Sequence, residues 1–257
     1  MLNELYYKNI SNFEYDGICS KDYGLIVNKT QNIHGAPKPI VESVNVPGRG
    51  NIIIDRKADP LDNDEYEDIS KVYQVHMIPD SVAEQSVEIV SRAMFKWLYK
   101  TTAYKELKDS YEPGYYRKAY ISEMITVDRI AQGLLSSLAI PFTASAYKYL
   151  VSGKDEITLT TGGMLYNPEG FTASPLIIAH GSGNIVLTIN DRSHIFSIDS
   201  NVIYIDSEKM NSYDAAGNLK NSNTQFTYYP KLVAGTNDIS WTGNLTKLVI
   251  IPRWCTL

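Results

Sequence analysis

The chain has 257 residues and a mass of 28.9 kDa, enough for one large all-β unit or two domains of ordinary size. An apolar fraction of 44%, a charged fraction of 21%, 16 Gly and 11 Pro are globular values and exclude a disordered or collagen-like chain. The net charge of −5, with no strong Lys/Arg cluster against it, repels a polyphosphate backbone, so no nucleic-acid readout is expected.

Met1 to Lys8 has neither a basic start nor an apolar stretch, so no secretory signal is read and the protein is expected to stay in the cytosol where it is made. Tyr23 to Val27 and Lys38 to Val46 read as strands, the second with apolar residues at 40, 44 and 46. Pro47-Gly48-Arg49-Gly50 forces a turn into a further strand, Asn51 to Asp55. Asp59, Asp62, Asp64, Glu65, Glu67 and Asp68 then form an acidic run, read as a solvated hairpin tip. Ile69, Lys71, Tyr73, Val75 and Met77 alternate with mostly polar residues, as in a half-buried strand.

One segment breaks the β pattern. Ser81-x-x-Glu84 has capping-box spacing, and Val87, Val90, Met94, Trp97 and Leu98 share one helical face, which predicts a helix over about 81–100. A Pro-Gly turn at Tyr111-Glu112-Pro113-Gly114-Tyr115 predicts a hairpin between a run ending near Lys108 and another from Tyr115 to Val127. After residue 147 the pattern changes to short strands at 156–160, 176–180, 184–189, 194–198, 202–206, 238–241 and 246–251, with a tight turn at Asn190-Asp191. That spacing predicts an antiparallel sandwich. The fold class is therefore mostly β, an α+β domain over 1–147 with one main helix followed by a sandwich over 148–257.

Chemistry is thinly represented. No window supplies eighteen apolar residues for a membrane span; the best, Leu134 to Val151, is broken by Ser136, Ser137, Pro141, Thr143, Ser145 and Lys148. Cys19 and Cys255 have no C-x-x-C partner and read as reduced thiols. His34, His76, His180 and His194 sit in no nucleophile–base pattern; His180-Gly181-Ser182-Gly183 lacks a strand-turn-helix context and reads as a turn between two strands. Gly48-x-Gly50 is no dinucleotide fingerprint, because neither a third Gly nor a helix follows. The acidic run lacks a spaced calcium loop, and Asp206, Glu208 and Asp214 are too dispersed for a metal. No enzymatic activity, cofactor or metal is expected. The N-x-S/T sites at Asn9, Asn28 and Asn244 carry no meaning without secretion.

Two recognition features remain. Tyr is over-used, 19 against 6 Phe and 3 Trp, which suits either interfaces or β packing. Tyr228 with Tyr229, and Trp241 with Asn244, are candidates for contact with a sugar or a partner, although a Trp in an alternating strand is more often core or interface.

Several motifs in combination resemble the distal tail proteins of siphophages that infect Gram-positive bacteria. In the N-terminal half these are Ser20-Lys21-Asp22-Tyr23-Gly24-Leu25, Ala36 to Glu42 running into Val46-Pro47-Gly48-Arg49-Gly50-Asn51-Ile52-Ile53-Ile54-Asp55, and Leu107 to Arg117. In the C-terminal half they are Gly170 to Ile177, Asp206-Ser207-Glu208-Lys209-Met210, Gly235 to Asn244 and the ending Ile251-Pro252-Arg253-Trp254-Cys255-Thr256-Leu257, where Cys255 replaces a common second aromatic. Region 56–68 departs from the resemblance, being longer and more acidic. The resemblance implies a ring of six at the tail tip, built by β-rich N-terminal domains carrying galectin-like sandwiches. It also implies partners: other copies of the chain, the tail tube protein, a tail-associated hub or fibre protein, and receptor-binding or baseplate components. Virions assemble in the host cytoplasm, so neither a signal peptide nor a membrane is required. A sugar-binding sandwich that helps attach to the cell wall is the alternative reading.

Pro47, Gly48, Arg49 and Gly50 are candidate subunit-interface residues. A Pro-Gly turn needs no Arg for its geometry, so Arg49 either reaches acceptors on a neighbouring subunit or is a plain surface residue.

Overall fold

The computed structural model describes residues 12–28, 36–54, 57–77, 87–131 and 135–257, and it is mostly β, with a single α-helix among the described residues. The first eight residues, Asn9, His34, Asp55 and the first six positions of the predicted helix, Ser81 and Glu84 included, lie outside them. Two compact units emerge: Met1–Ile40 with Tyr66–Lys148 and Leu257, and Val41–Glu65 with Tyr149–Thr256. Residues 41–65, assigned from the sequence to the N-terminal domain, thus cluster with the second unit.

The first unit contains β1 (Phe13–Tyr15), β2 (Ile18–Cys19) and β3 (Leu25–Val27). After the hairpin β4 (Glu42–Val46) and β5 (Gly50–Ile54) of the other unit, it resumes with β6 (Ile69–Met77), α1 (Val87–Leu98), β7 (Lys105–Asp109), β8 (Tyr115–Tyr120), β9 (Val127–Ala131) and β10 (Leu135–Leu150). The sheet order is β2-β1-β7-β8-β10-β6-β3, and β9 also pairs with β10.

Alternation in β6 buries Lys71, Tyr73, Val75 and Met77 on one face. The apolar stripe of α1, Val87, Val90, Met94, Trp97 and Leu98, is buried in the same core. Phe13 stacks on Tyr73 at 4.8 Å and Tyr23 on Trp97 at 4.9 Å, while the Trp97 indole N–H donates to the Tyr15 carbonyl at 2.9 Å. The predicted run from Tyr115 to Val127 is broken, β8 ending at Tyr120 and β9 starting at Val127. β10 has no counterpart in the sequence reading. Pro141, which cannot donate to a ladder, lies within β10 opposite Val72 of β6.

The second unit holds β11 (Ile157–Leu159), β12 (Gly163–Asn167), β13 (Leu176–Ile189), β14 (Arg192–Ile198), β15 (Val202–Asp206), β16 (Asn211–Tyr213), β17 (Thr224–Gln225) and β18 (Gly235–Ile251). The long strands β13 and β18 run antiparallel, and each serves two layers. The start of β18 pairs with β12 and the end of β13 with β14, whereas the end of β18 pairs with β11 and the start of β13 with β15. One shared core fills the sandwich, including Ile177, Leu187, Phe196, Ile205, Leu248 and Ile250.

Where the sequence suggests a turn at 180–183 and separate strands at 238–241 and 246–251, β13 and β18 each continue through a bulge. The glycines serve close approach instead: a Cβ on Gly181 would lie 2.2 Å from the Asn244 carbonyl oxygen, and one on Gly243, at φ +101°, 2.4 Å from that of Asn184. The tight turn at Asn190-Asp191 is present, with Asn190 at φ 53°.

The acidic run is exposed at Asp64, Glu65, Glu67 and Asp68, as a solvated tip would be, but its start is not. Asp59, 4% exposed, accepts from the Arg192 guanidinium at 2.6 and 2.8 Å. Lys231 pairs with Asp62 at 2.7 Å, and the Asn63 amide exchanges two hydrogen bonds with the Thr172 backbone. Arg192 is 133 positions from Asp59, so local charge counting could not find this partner.

Candidate assembly surfaces

The turn at 47–50 joins β4 to β5 in a sheet of two strands only. Its register sets Val44 against Ile52, Glu42 against Ile54 and Val46 against Gly50, so Val44, Val46, Ile52 and Ile54 share one face, while Ser43, Asn45, Asn51 and Ile53 form the other. Neither face is covered: Val44 is 45%, Ile52 42% and Ile53 69% exposed. An isolated two-stranded hairpin is at best marginally stable in water, and it exposes two unpaired edges as well. Gly48 and Gly50, at φ +81° and +78°, permit the reversal, and the Arg49 amide donates to the Val46 carbonyl at 2.9 Å. Among the described residues, the Arg49 guanidinium has no hydrogen-bond or ion-pair partner.

The four candidate contact residues of the sandwich do not form one platform. Tyr228 lies under the Arg192 guanidinium, 5.2 Å from the ring centroid. Tyr229 meets Phe226 edge-on at 5.3 Å and packs on the core. Trp241 stands opposite Leu187 and also packs on the core. The Asn244 side-chain amide donates to the Ser182 hydroxyl at 2.7 Å, at the bulge. The first three are engaged within the sandwich, the fourth at its exposed strand crossing.

The first unit presents apolar surface that periodicity did not flag: Ile89, Tyr99, Tyr104 and Met124 are all exposed, Met124 at 85%. Tyr104 meets Tyr120 edge-on at 5.1 Å and hydrogen-bonds Asp68. Burial foremost, and then that acceptor bond, push the Tyr104 hydroxyl up to about 12. The Tyr excess in the composition was the available signal.

Each unit also holds a buried charge network. In the first unit the Lys71 ammonium pairs with Asp109 at 2.5 Å, and Asp109 also accepts from the Tyr73 hydroxyl at 2.6 Å. In the second, Arg253 grips Asp206 at 2.7 and 3.2 Å, so the Asp206-to-Met210 and Ile251-to-Leu257 motifs meet in space. Asn237, from the Gly235-to-Asn244 motif, is fully buried and donates to the Val233 and Gly235 carbonyls.

No protein-family profile matches the chain, and no curated protein sequence does. Among solved structures it is similar to the SPP1 Dit (gp 19.1) protein, described as a paradigm of the hub adsorption apparatus in phages infecting Gram-positive bacteria. The TM-score is 0.67 at 13% identity, covering 97% of this chain and 100% of that one. Chains of the phage P2 baseplate in its activated conformation, with Ca and with Sr, align at TM-scores of 0.47 and 0.46 with 7% and 8% identity, over 94% of this chain and 97% and 98% of theirs. The chain therefore has the fold of a siphophage Dit protein over nearly its whole length.

Proposed function

We propose that the chain is a non-enzymatic structural protein of a siphophage tail tip, assembled in the host cytoplasm as a ring of six that joins the tail tube to a hub or fibre protein and carries baseplate or receptor-binding components. The observation that carries this reading is the end-to-end fold likeness to the SPP1 Dit protein, which spans both units rather than one common module. The uncovered hairpin supports it. A closed ring uses heterologous contacts, one surface of each copy meeting a different surface of the next. The apolar face of β4–β5 suits one side of such a contact, and Arg49 at its tip suits carboxylate or carbonyl acceptors there.

The test is assembly. Mass photometry and negative-stain images of the protein, alone and co-expressed with its tail neighbours, are expected to show six-membered rings. Arg49→Ala is expected to weaken ring formation by about 2–5 kcal/mol, as when one partner of a buried charge pair is truncated. A chain that stays monomeric with all its tail neighbours would overturn the ring. Unchanged assembly with Arg49→Ala would remove Arg49 from the interface.

A further inference from the structure

The first unit contains a cavity of about 410 Å³ lined by both charged and apolar groups. Lys71, Arg117 and Lys148 line it together with Glu112; Pro37, Tyr66, Ile69 and Leu257 supply ring and hydrocarbon surface. The side-chain charges beside it do not balance. Lys71 is shared between Asp109 at 2.5 Å and Glu112 at 3.6 Å, and Lys148 holds Glu112 at 2.7 Å. Asp109 and Glu112 thus form their ion pairs with the two lysines, and act on Arg117 only from beyond ion-pair distance.

Arg117 is 8% exposed, and its recorded partners are the Ser145 carbonyl at 3.1 Å and the Ala146 carbonyl. Its Nε is buried with no hydrogen-bond partner. A buried guanidinium is normally matched by a carboxylate or phosphate, because desolvating an unmatched cation is costly. Consistently, burial pulls the Arg117 pKa down, with only partial compensation from Glu112 and Asp109. The Lys148 ammonium also lies 5.3 Å from the Tyr115 ring centroid.

We propose that this cavity binds a carboxylate borne on an apolar stem, the charged end set among Lys148, Lys71 and Arg117 and the stem against Pro37, Ile69 and Tyr66. A bare phosphate would satisfy the cations but leave the apolar groups unused, and a neutral alcohol would do the reverse. The carboxylate comes either from a protein side chain or from a free small acid. The proposal stands apart from the ring, since it concerns a cavity within one unit.

Isothermal titration of the full chain with hexanoate and with N-acetyl-glutamate methylamide separates the two sources. Saturable one-to-one binding of either supports the site; preference for the glutamate derivative assigns a protein side chain, preference for hexanoate a free acid. Lys148→Met is expected to weaken binding by about tenfold or more, roughly the loss of one charge-assisted contact. Lys209→Met, in the other unit, is expected to leave binding unchanged. Should Lys148→Met fail to fold, NMR shift changes of the wild-type protein are expected at Tyr66, Ile69 and Lys71 on adding the acid. Binding of neither acid, equal binding of hexanol, equally tight binding of inorganic phosphate, or shifts that avoid the cavity would each overturn the proposal.

Discussion

Lys71 shows how one residue constrains its surroundings. Strand alternation places it on the same face as Tyr73, Val75 and Met77, so its ammonium cannot stay in water, and Asp109 on β7 supplies the counter-charge. Burial alone would raise the Asp109 pKa, but the charge and hydrogen bond of Lys71, the Tyr73 hydroxyl and the Glu112 amide outweigh it and hold the carboxyl below its ordinary value. Lys71→Met is expected to destabilise the first unit by about 3–5 kcal/mol in urea unfolding, because it strands a buried carboxylate. Adding Asp109→Asn is expected to recover part of that loss; a double variant as unstable as the sum of the singles would show that the pair is not its source.

The Asp206 carboxyl follows the same rule, with burial opposed chiefly by Arg253. A carboxyl with a depressed folded pKa stabilises the fold above its ordinary value of 3.8 and loses that contribution as pH falls through the folded value. Acid unfolding followed by circular dichroism is therefore expected to steepen below about pH 4 in the wild type. Asp206→Asn should be less stable at pH 7 and show a shallower acid dependence. An identical slope in the two proteins would remove Asp206 from the account.

At the scale of elements, the bulge between β13 and β18 is where a sandwich strand changes layer, and it depends on the absence of a side chain at two positions. Gly243→Ala must strain a positive φ and push its Cβ against the Asn184 carbonyl, for an expected loss of about 1–3 kcal/mol in the melting of the sandwich. The hairpin behaves oppositely. Its residues touch little within the chain, so Ile52→Ser is expected to change monomer stability by no more than about 0.5 kcal/mol while reducing ring assembly. A large loss of monomer stability would mean that the hairpin is already covered within the chain.

At the scale of the molecule, the second unit is discontinuous in sequence. Asp59, Asp62 and Asn63 tie residues 57–65 to Arg192, Lys231 and Thr172, all within that unit. A fragment starting at residue 149 would leave Arg192 and Lys231 without these carboxylates. It is expected to melt below the same unit in the full chain, and Asp59→Asn in the full chain should reproduce part of the difference. Equal melting temperatures would show that 57–65 contributes nothing to the sandwich.

The sequence by itself determined the features governed by local rules. The helix stripe from Val87 to Leu98, the alternation of β6, the Pro-Gly hairpin after Asp109 and the Asn190-Asp191 turn depend on neighbours within a few residues, and each is where periodicity placed it. It also marked 47–50 as a turn and, through combined motifs, pointed to the fold that the SPP1 Dit likeness supports. Only the tertiary structure decided the rest. Pro141 sits in a central strand because β6 and its neighbours impose it; Gly181 and Gly243 mark a strand crossing rather than turns; and Asp59 and Asp62, at the start of the acidic run, pair with cations more than a hundred positions away. Those outcomes depend on which distant segments meet, and charge, close approach and burial act through space, where sequence spacing gives no measure of distance.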